Sequence, residues 1–133
     1  MERIPRTIFF SGTVTASTGK ALVSNIMTHP FDVVACHVNF VSGTDNTLKI
    51  ELLSTVENST SGTTRVTNPG YNVFSAGNLS SDVNPFMVGD QYISVHHFYT
   101  VPEGNYLKIF ANNTDTANSH SIEVRVEGFE VIS

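Results

Sequence analysis

The chain is short of several residue types that mark common classes of protein. It has one cysteine and no tryptophan, and charged residues make up 14% of its 133 residues, against roughly 25% in an average domain. A single cysteine excludes a disulfide bond within the chain. Cys36 lies among valine and alanine, which predicts a buried and unreactive side chain.

Basic residues are also few and scattered. The 7 Lys and Arg are outnumbered by 12 Asp and Glu, which gives a formal net charge of −5, so nucleic acid is not an expected partner. No apolar run approaches the ~18 residues that span a bilayer, and the opening residues lack the apolar stretch of a signal peptide. We therefore expect no membrane partner and synthesis in a cytoplasm.

Strong helix formers are scarce, whereas alternation of apolar and polar residues is common. Ile122, Val124 and Val126 alternate with charged residues, as in a strand with one dry and one wet face. Comparable runs, separated by residues that favour turns, predict strands over residues 7–15, 20–28, 31–41, 47–55, 71–74, 92–99, 105–112 and 119–127.

About eight antiparallel strands without a helix predict an all-β fold, a two-sheet sandwich. A jelly roll fits the mixture of short and long connections. The alternative is an immunoglobulin-like sandwich, although this chain lacks the Cys…Trp…Cys pattern of that fold. We expect strands 31–41 and 47–55 to form a hairpin, and the three closing strands to lie together in one sheet.

The chain reads as one domain with a short extension. Residues 1–6 are polar and basic and contain Pro5, which predicts an N-terminal arm ahead of a single β-sandwich domain over residues 7–133. Within strand 31–41, we expect Val34, Cys36, Val38 and Phe40 to share the inner face. Residues 56–69 are rich in Ser, Thr, Asn and Gly, which indicates a mobile or functional loop.

No pattern of reactive residues predicts catalysis. His96 and His97 are neighbours, so a regular strand points them to opposite faces and they cannot both bind one metal ion. Glu123, Arg125 and Glu127 share one face of the last strand, which is typical of charge pairing on a solvated surface. We expect no catalytic residue, no metal site and no cofactor. A metal enzyme that uses the histidines is the least favoured hypothesis.

Aromatic residues are the remaining candidates for binding. Most of the phenylalanines, including Phe9 and Phe98, lie in or beside predicted strands and are expected in the core. Tyr71, Phe74 and Phe86 lie next to polar loops, and exposed apolar residues of a sandwich commonly mark an interface. They are therefore the candidate contacts with a ligand or another subunit.

Parts of the chain resemble a known family. Residues 101–115 (VPEGNYLKIFANNTD) and 119–124 (SHSIEV) resemble the closing strands of small single-jelly-roll proteins that decorate, or cement, the capsids of tailed bacteriophages. The Phe-Phe-Ser of residues 9–11 and the Pro-Phe-Asp-Val-Val of residues 30–34 fit the same family. The resemblance covers about half of the chain, as an order of strands and turns.

The resemblance implies a non-enzymatic structural protein of the virion. Such a protein is made in the host cytoplasm, binds the outside of the capsid, often as a homotrimer, and stabilises the shell by contacting the major capsid protein. The N-terminal arm, with Arg3, Ile4 and Arg6, is then the expected contact with the capsid.

The alternative is a carbohydrate- or receptor-binding jelly-roll module of a phage fibre or spike. That hypothesis predicts a groove with exposed aromatic side chains. Tyr71, Phe74 and Tyr99 are the first residues to test for it.

Overall fold

The described part of the chain contains nine strands. The computed structural model describes residues 1–40, 44, 47–58, 71–73, 87–88 and 92–133, and these contain no α-helix. The strands are β1 (Glu2–Val14), β2 (Gly19–Val23), β3 (Phe31–Phe40), β4 (Leu48–Thr55), β5 (Tyr71–Asn72), β6 (Met87–Val88), β7 (Tyr92–Val101), β8 (Tyr106–Asn113) and β9 (His120–Ile132).

The strands form two antiparallel sheets. Sheet I has the order β1-β9-β3-β7, and sheet II has the order β2-β8-β4-β5, with β6 also on β4. The pairs are nested along the chain, because β1 pairs with β9, β2 with β8, β3 with β7, and β4 with β5 and β6. A nested hairpin folded over into two sheets is the jelly-roll arrangement. The predicted all-β sandwich is therefore confirmed.

Two predictions about neighbouring strands are wrong. Strands β3 and β4 do not form a hairpin, since β3 lies in sheet I and β4 in sheet II. The closing strands are likewise divided, with β7 and β9 in sheet I and β8 in sheet II. In each case the connection carries the chain from one sheet to the other, so the partner of each strand is distant in sequence.

The core lies between the inner faces of the two sheets. Residues that alternate along each strand meet there, and removing their apolar surface from water is the main stabilising contribution. The central members are Phe10 and Val14 of β1, Cys36, Val38 and Phe40 of β3, Leu48, Ile50 and Leu52 of β4, Leu107 and Ile109 of β8, and Ile122, Val124 and Val126 of β9.

A β-bulge interrupts the alternation in β3. The register shifts between Val33 and Ala35 with respect to both neighbouring strands, so Val34 is an extra residue relative to β9. Val33 and Cys36 both belong to the core, whereas Val34 is 36% exposed. The prediction that Val34 shares the inner face with Cys36 is therefore wrong, because one inserted residue changes the phase of the strand.

The predicted N-terminal arm is part of the sheet. Strand β1 begins at Glu2, and its first residues pair with the end of β9, from Glu2 opposite Ile132 to Arg6 opposite Gly128. Pro5 does not end the strand, because β1 is an edge strand, where the missing N–H can face solvent. Residues 2–6 are therefore the first part of β1.

Gly128 lies where β9 approaches β3 most closely. A Cβ atom at this position would lie 2.0 Å from the carbonyl oxygen of Asp32 and 2.9 Å from the ring of Phe31. Both contacts are shorter than van der Waals distances, and one of them is with backbone beside the bulge. Only glycine fits here without moving β3.

We expect Gly128→Ala to lower the free energy of unfolding by about 3 kcal/mol, the upper end of the usual cost of overpacking. Gly12→Ala is the matched control, because its Cβ would meet only the flexible side chains of Leu22 and Lys20, at 3.5 Å. Urea unfolding of the two variants measures the difference. Equal stability would contradict the close approach of β9 to β3.

Asp115 organises the turn between β8 and β9. Its carboxylate accepts hydrogen bonds from the backbone N–H of Ala117 at 2.8 Å and of Asn118 at 3.1 Å, and from Nε2 of His120 at 2.8 Å. These hydrogen bonds lower the pKa of Asp115 from its ordinary 3.8 to about 2. The bond from the Ala117 N–H has the largest effect, and the bond from His120 has the next largest. The ionised form is therefore favoured in the folded chain.

A lowered carboxyl pKa stabilises the fold above the ordinary pKa and ceases to do so as the pH falls through the folded value. We expect Asp115→Asn to lower the melting temperature at neutral pH, and the difference from the parent to shrink between about pH 4 and pH 2. Thermal unfolding across this range measures it. A difference that does not depend on pH would show that the charge of Asp115 contributes nothing.

Candidate functional site

The outer faces of the two sheets differ in exposure. In sheet II the outward residues Leu53, Lys108 and Phe110 are each 1% exposed, although they alternate with core residues along β4 and β8. In sheet I, Phe9 is 73% exposed and Phe98 is 63% exposed. Large apolar side chains are thus left open to solvent on one sheet, and the outer face of sheet I is the candidate functional site.

The covered face of sheet II also differs from expectation. Alternation predicts that Glu51 and Lys108 face solvent. Both are buried, however, with Glu51 5% exposed and Lys108 1% exposed. Burial lowers the pKa of Lys108, and the charge of Glu57 partly offsets the effect. The outer face of sheet II is therefore buried at these positions, and it buries polar as well as apolar side chains.

One half of the sheet I face forms a groove with polar side chains in its floor. The cavity has a volume of about 410 Å³. Two rows of residues cross the four strands here, in the order β1, β9, β3, β7. The first row is Ser11, Glu123, Asn39 and Tyr92, and the second is Phe9, Arg125, His37 and Ser94. We call this region the polar groove.

The side chains of the polar groove fix one another. His37 Nδ1 lies 2.6 Å from the hydroxyl of Ser94, and His37 Nε2 lies 3.2 Å from a carboxylate oxygen of Glu127. The ring of His37 stacks on Tyr92, with 5.9 Å between centroids. Arg125 donates from Nη2 to the Tyr92 hydroxyl at 3.3 Å. These contacts hold the side chains of the floor against one another.

The other half of the face carries several apolar side chains. Pro5, Val34 and Phe129 line a depression there, together with Arg6, Thr7, Glu127 and Gly128. Val34 and Phe98 both lie in the stretch where the register of β3 and β7 shifts. The bulge therefore places an additional apolar side chain on this surface. We call Pro5, Val34, Phe98 and Phe129 the apolar patch.

An ion pair borders the apolar patch. Arg3 donates from Nη1 to Asp32 at 2.7 Å, and its guanidinium lies 4.8 Å from the ring centroid of Phe129. Thr100 donates to the other oxygen of Asp32 at 2.6 Å. Asp32, which is buried, thus has both carboxylate oxygens bonded, as a buried charge requires.

The predicted capsid-contact residues occupy different positions along β1. Arg3 borders the apolar patch, and Ile4 is half-buried. Arg6 donates from Nε to Glu130 at 3.0 Å, and His29 lies 2.8 Å from the same carboxylate. Both hydrogen bonds lower the pKa of Glu130, and the bond from Arg6 has the larger effect. These residues are held in the sheet and do not form a free arm.

The predicted aromatic contacts do not come together at the site. Tyr71 is partly exposed and stacks on Tyr99, with 5.0 Å between centroids and 12° between the rings. Because Tyr99 packs against the core, this pair joins the edge of sheet II to sheet I. Phe74 and Phe86 lie outside the described residues.

Sequence reasoning missed Phe9 and Phe98, which were expected in the core. The Phe9-Phe10 pair contained the signal, because neighbours in a strand face opposite sides and Phe10 is the buried one. For Phe98 no comparable signal exists, since the bulge in the β3–β7 pair changes the alternation. The charge pairing expected between strands takes a different form for Arg125, whose Nε lies 3.2 Å from Glu127 on the same strand.

The described residues offer neither a metal-binding cluster nor a membrane-spanning helix. No group of three or more His, Cys, Asp and Glu side chains is placed there to hold a metal ion. Within the same residues, no helix is long and apolar enough to cross a membrane.

Comparisons with known proteins give only a general likeness. No family model and no curated protein matches the chain. A mitogen from Yersinia pseudotuberculosis has 10% identity and a TM-score of 0.45, over 98% of this chain and 89% of that one. A structure of infectious bursal disease virus, Gx strain, has 10% identity and a TM-score of 0.41, over 99% of this chain and 37% of that one. We draw no functional conclusion from likenesses at this level.

The predicted burial of Cys36 is confirmed, and burial raises the pKa of its thiol to about 12. Since the thiolate is the reactive form, we expect no reaction of the native protein with Ellman's reagent at about pH 8. One equivalent should react after unfolding in urea. Rapid reaction of the native protein would contradict the burial of Cys36.

Proposed function

We propose that the chain is a non-enzymatic structural protein that decorates and stabilises the outside of a phage capsid. The observation that carries the proposal is the contrast between the two sheets, one with apolar outer residues buried and the other with Val34 and Phe98 exposed. A face that exposes large apolar side chains is typical of a surface that is covered by a partner.

The apolar patch is the proposed contact with the major capsid protein. Val34 and Phe98 supply an apolar centre, and the Arg3–Asp32 ion pair supplies a polar border. An apolar centre with a polar rim is the usual arrangement of a protein interface. The role needs no reacting group, and the location that it implies is the surface of the virion.

A rigid strand replaces the flexible arm in this proposal. Because Arg3 and Ile4 are paired with β9, they do not have to be ordered when the capsid is bound. Binding without an ordering step loses less conformational entropy. We further propose that three copies assemble around a symmetry axis of the capsid, as closed rings of identical subunits do.

The test is sedimentation of the protein with capsid shells assembled from the major capsid protein of the same virus. We expect Val34→Ser with Phe98→Ser to weaken binding by at least about tenfold, since central apolar residues dominate interfaces. The matched control is Ile26→Ser with Val56→Ser, which also changes two exposed apolar residues but lies off the patch.

Light scattering of the free protein gives a second measurement. We expect a mass three times that of one chain, independent of concentration. Failure of the unmodified protein to bind shells would overturn the proposal. Equal binding by the two double variants would remove the apolar patch from it.

A further inference from the structure

The polar groove has a chemistry different from that of the apolar patch. Its floor carries a carboxylate, an amide, a guanidinium and an imidazole, from Glu123, Asn39, Arg125 and His37. These groups lie side by side because they are register neighbours on the two central strands of sheet I. A partner for this region must therefore offer several hydrogen-bonding groups within a short distance.

Aromatic rings stand at two corners of the polar groove. Phe9 is on β1 and Tyr92 is on β7, the two outermost strands of the sheet, and both are more than half exposed. Their backbones are separated by three strand spacings, or about 14 Å. An exposed ring with an open face provides a flat apolar surface on which another flat apolar surface can stack.

The groove offers groups that are both ordered and free to bond. The side chains of Arg125 and His37 are held by Tyr92, Ser94 and Glu127. Asn39 and Glu123 are exposed, so a ligand in the groove can reach their side chains. In addition, Arg125 Nε is buried without a hydrogen bond, although Glu127 lies 3.2 Å from it.

The groove contains charges of both signs. Arg125 and His37 both lie against the carboxylate of Glu127, and Glu123 adds a second carboxylate two residues before Arg125. An anionic ligand would be repelled by the carboxylates of Glu123 and Glu127, and a cationic ligand would be repelled by the guanidinium of Arg125. The electrostatics therefore favour a neutral ligand that presents many donors and acceptors.

We infer that the polar groove binds a neutral saccharide of one or two pyranose rings. The apolar face of a pyranose stacks on Tyr92 or Phe9, and its hydroxyls bond to Asn39, Glu123 and Arg125. A sugar hydroxyl both donates and accepts, which matches a floor that contains both kinds of group. The volume of about 410 Å³ lies within the range of small-molecule sites.

The first experiment screens the purified full chain on an array of neutral and sialylated oligosaccharides. Glycans that bind are then titrated as free disaccharides by saturation-transfer NMR. We expect signals from neutral glycans built of hexose or N-acetylhexosamine. Binding to no glycan, or to sialylated glycans alone, would overturn the inference.

Variants test the site itself. Asn39→Ala and Tyr92→Ala are each expected to weaken binding by at least about tenfold, through lost hydrogen bonds and lost stacking respectively. Asn39 is exposed, so the melting temperature of Asn39→Ala should equal that of the parent. If neither variant changes the affinity, the saccharide binds elsewhere and the inference is wrong.

The apolar-patch variant, Val34→Ser with Phe98→Ser, serves as the control. We expect it to bind saccharide normally, while Asn39→Ala binds capsid shells normally. Each variant should therefore lose one kind of binding and keep the other, because none of the substituted residues belongs to both the patch and the groove. Loss of saccharide binding in the properly folded patch variant would contradict the separation of the two sites.

Discussion

The features of the outer surface depend on the pairing of β1 with β9. Thirteen residues of β1 are in register with β9, from Glu2 to Val14. This register sets Phe9 beside Arg125 in the polar groove and Pro5 beside Phe129 in the apolar patch. A slip of one residue would turn every side chain of β1 to the opposite face. The core then would lose Phe10 and Val14, and the face would lose Phe9.

The two sheets divide stability and recognition between them. Sheet II buries residues on both faces, including polar groups such as Lys108 and Glu51. Sheet I buries its inner face and leaves large side chains such as Phe9 and Phe98 exposed on its outer face. Side chains mounted on paired strands are held more precisely than those on loops. The fold thus provides a flat platform whose two halves differ in chemistry, one apolar and one rich in hydrogen-bonding groups.

Sequence reasoning predicted the sandwich because alternation along a strand is a local property. The inward positions of Ile122, Val124 and Val126 follow directly from it. Alternation does not predict which strands pair. Strand β3, for example, lies between β7 and β9, and both of these partners are distant from it in sequence. Nothing in the residues around position 40 distinguishes a hairpin from a crossing between sheets.

The errors at the candidate site have the same origin. Residues 1–6 read as an arm because their partners, 128–132, lie at the far end of the chain. The outward position of Val34 depends on a bulge that is visible only once β3 is aligned with β9. The polar groove draws its floor from β3 and β9 together. No single segment of the sequence therefore predicts it.

The β1–β9 pairing also has a consequence for how the chain folds. During synthesis β1 emerges first, yet it has no partner in its sheet until β9 has been made. Domains dominated by such distant contacts fold slowly, because a long loop must close before any pairing compensates its entropy. Until then β1 is an unpaired strand that can associate with another copy. Pro5, which lacks an N–H, limits how far such mispairing can extend along the strand.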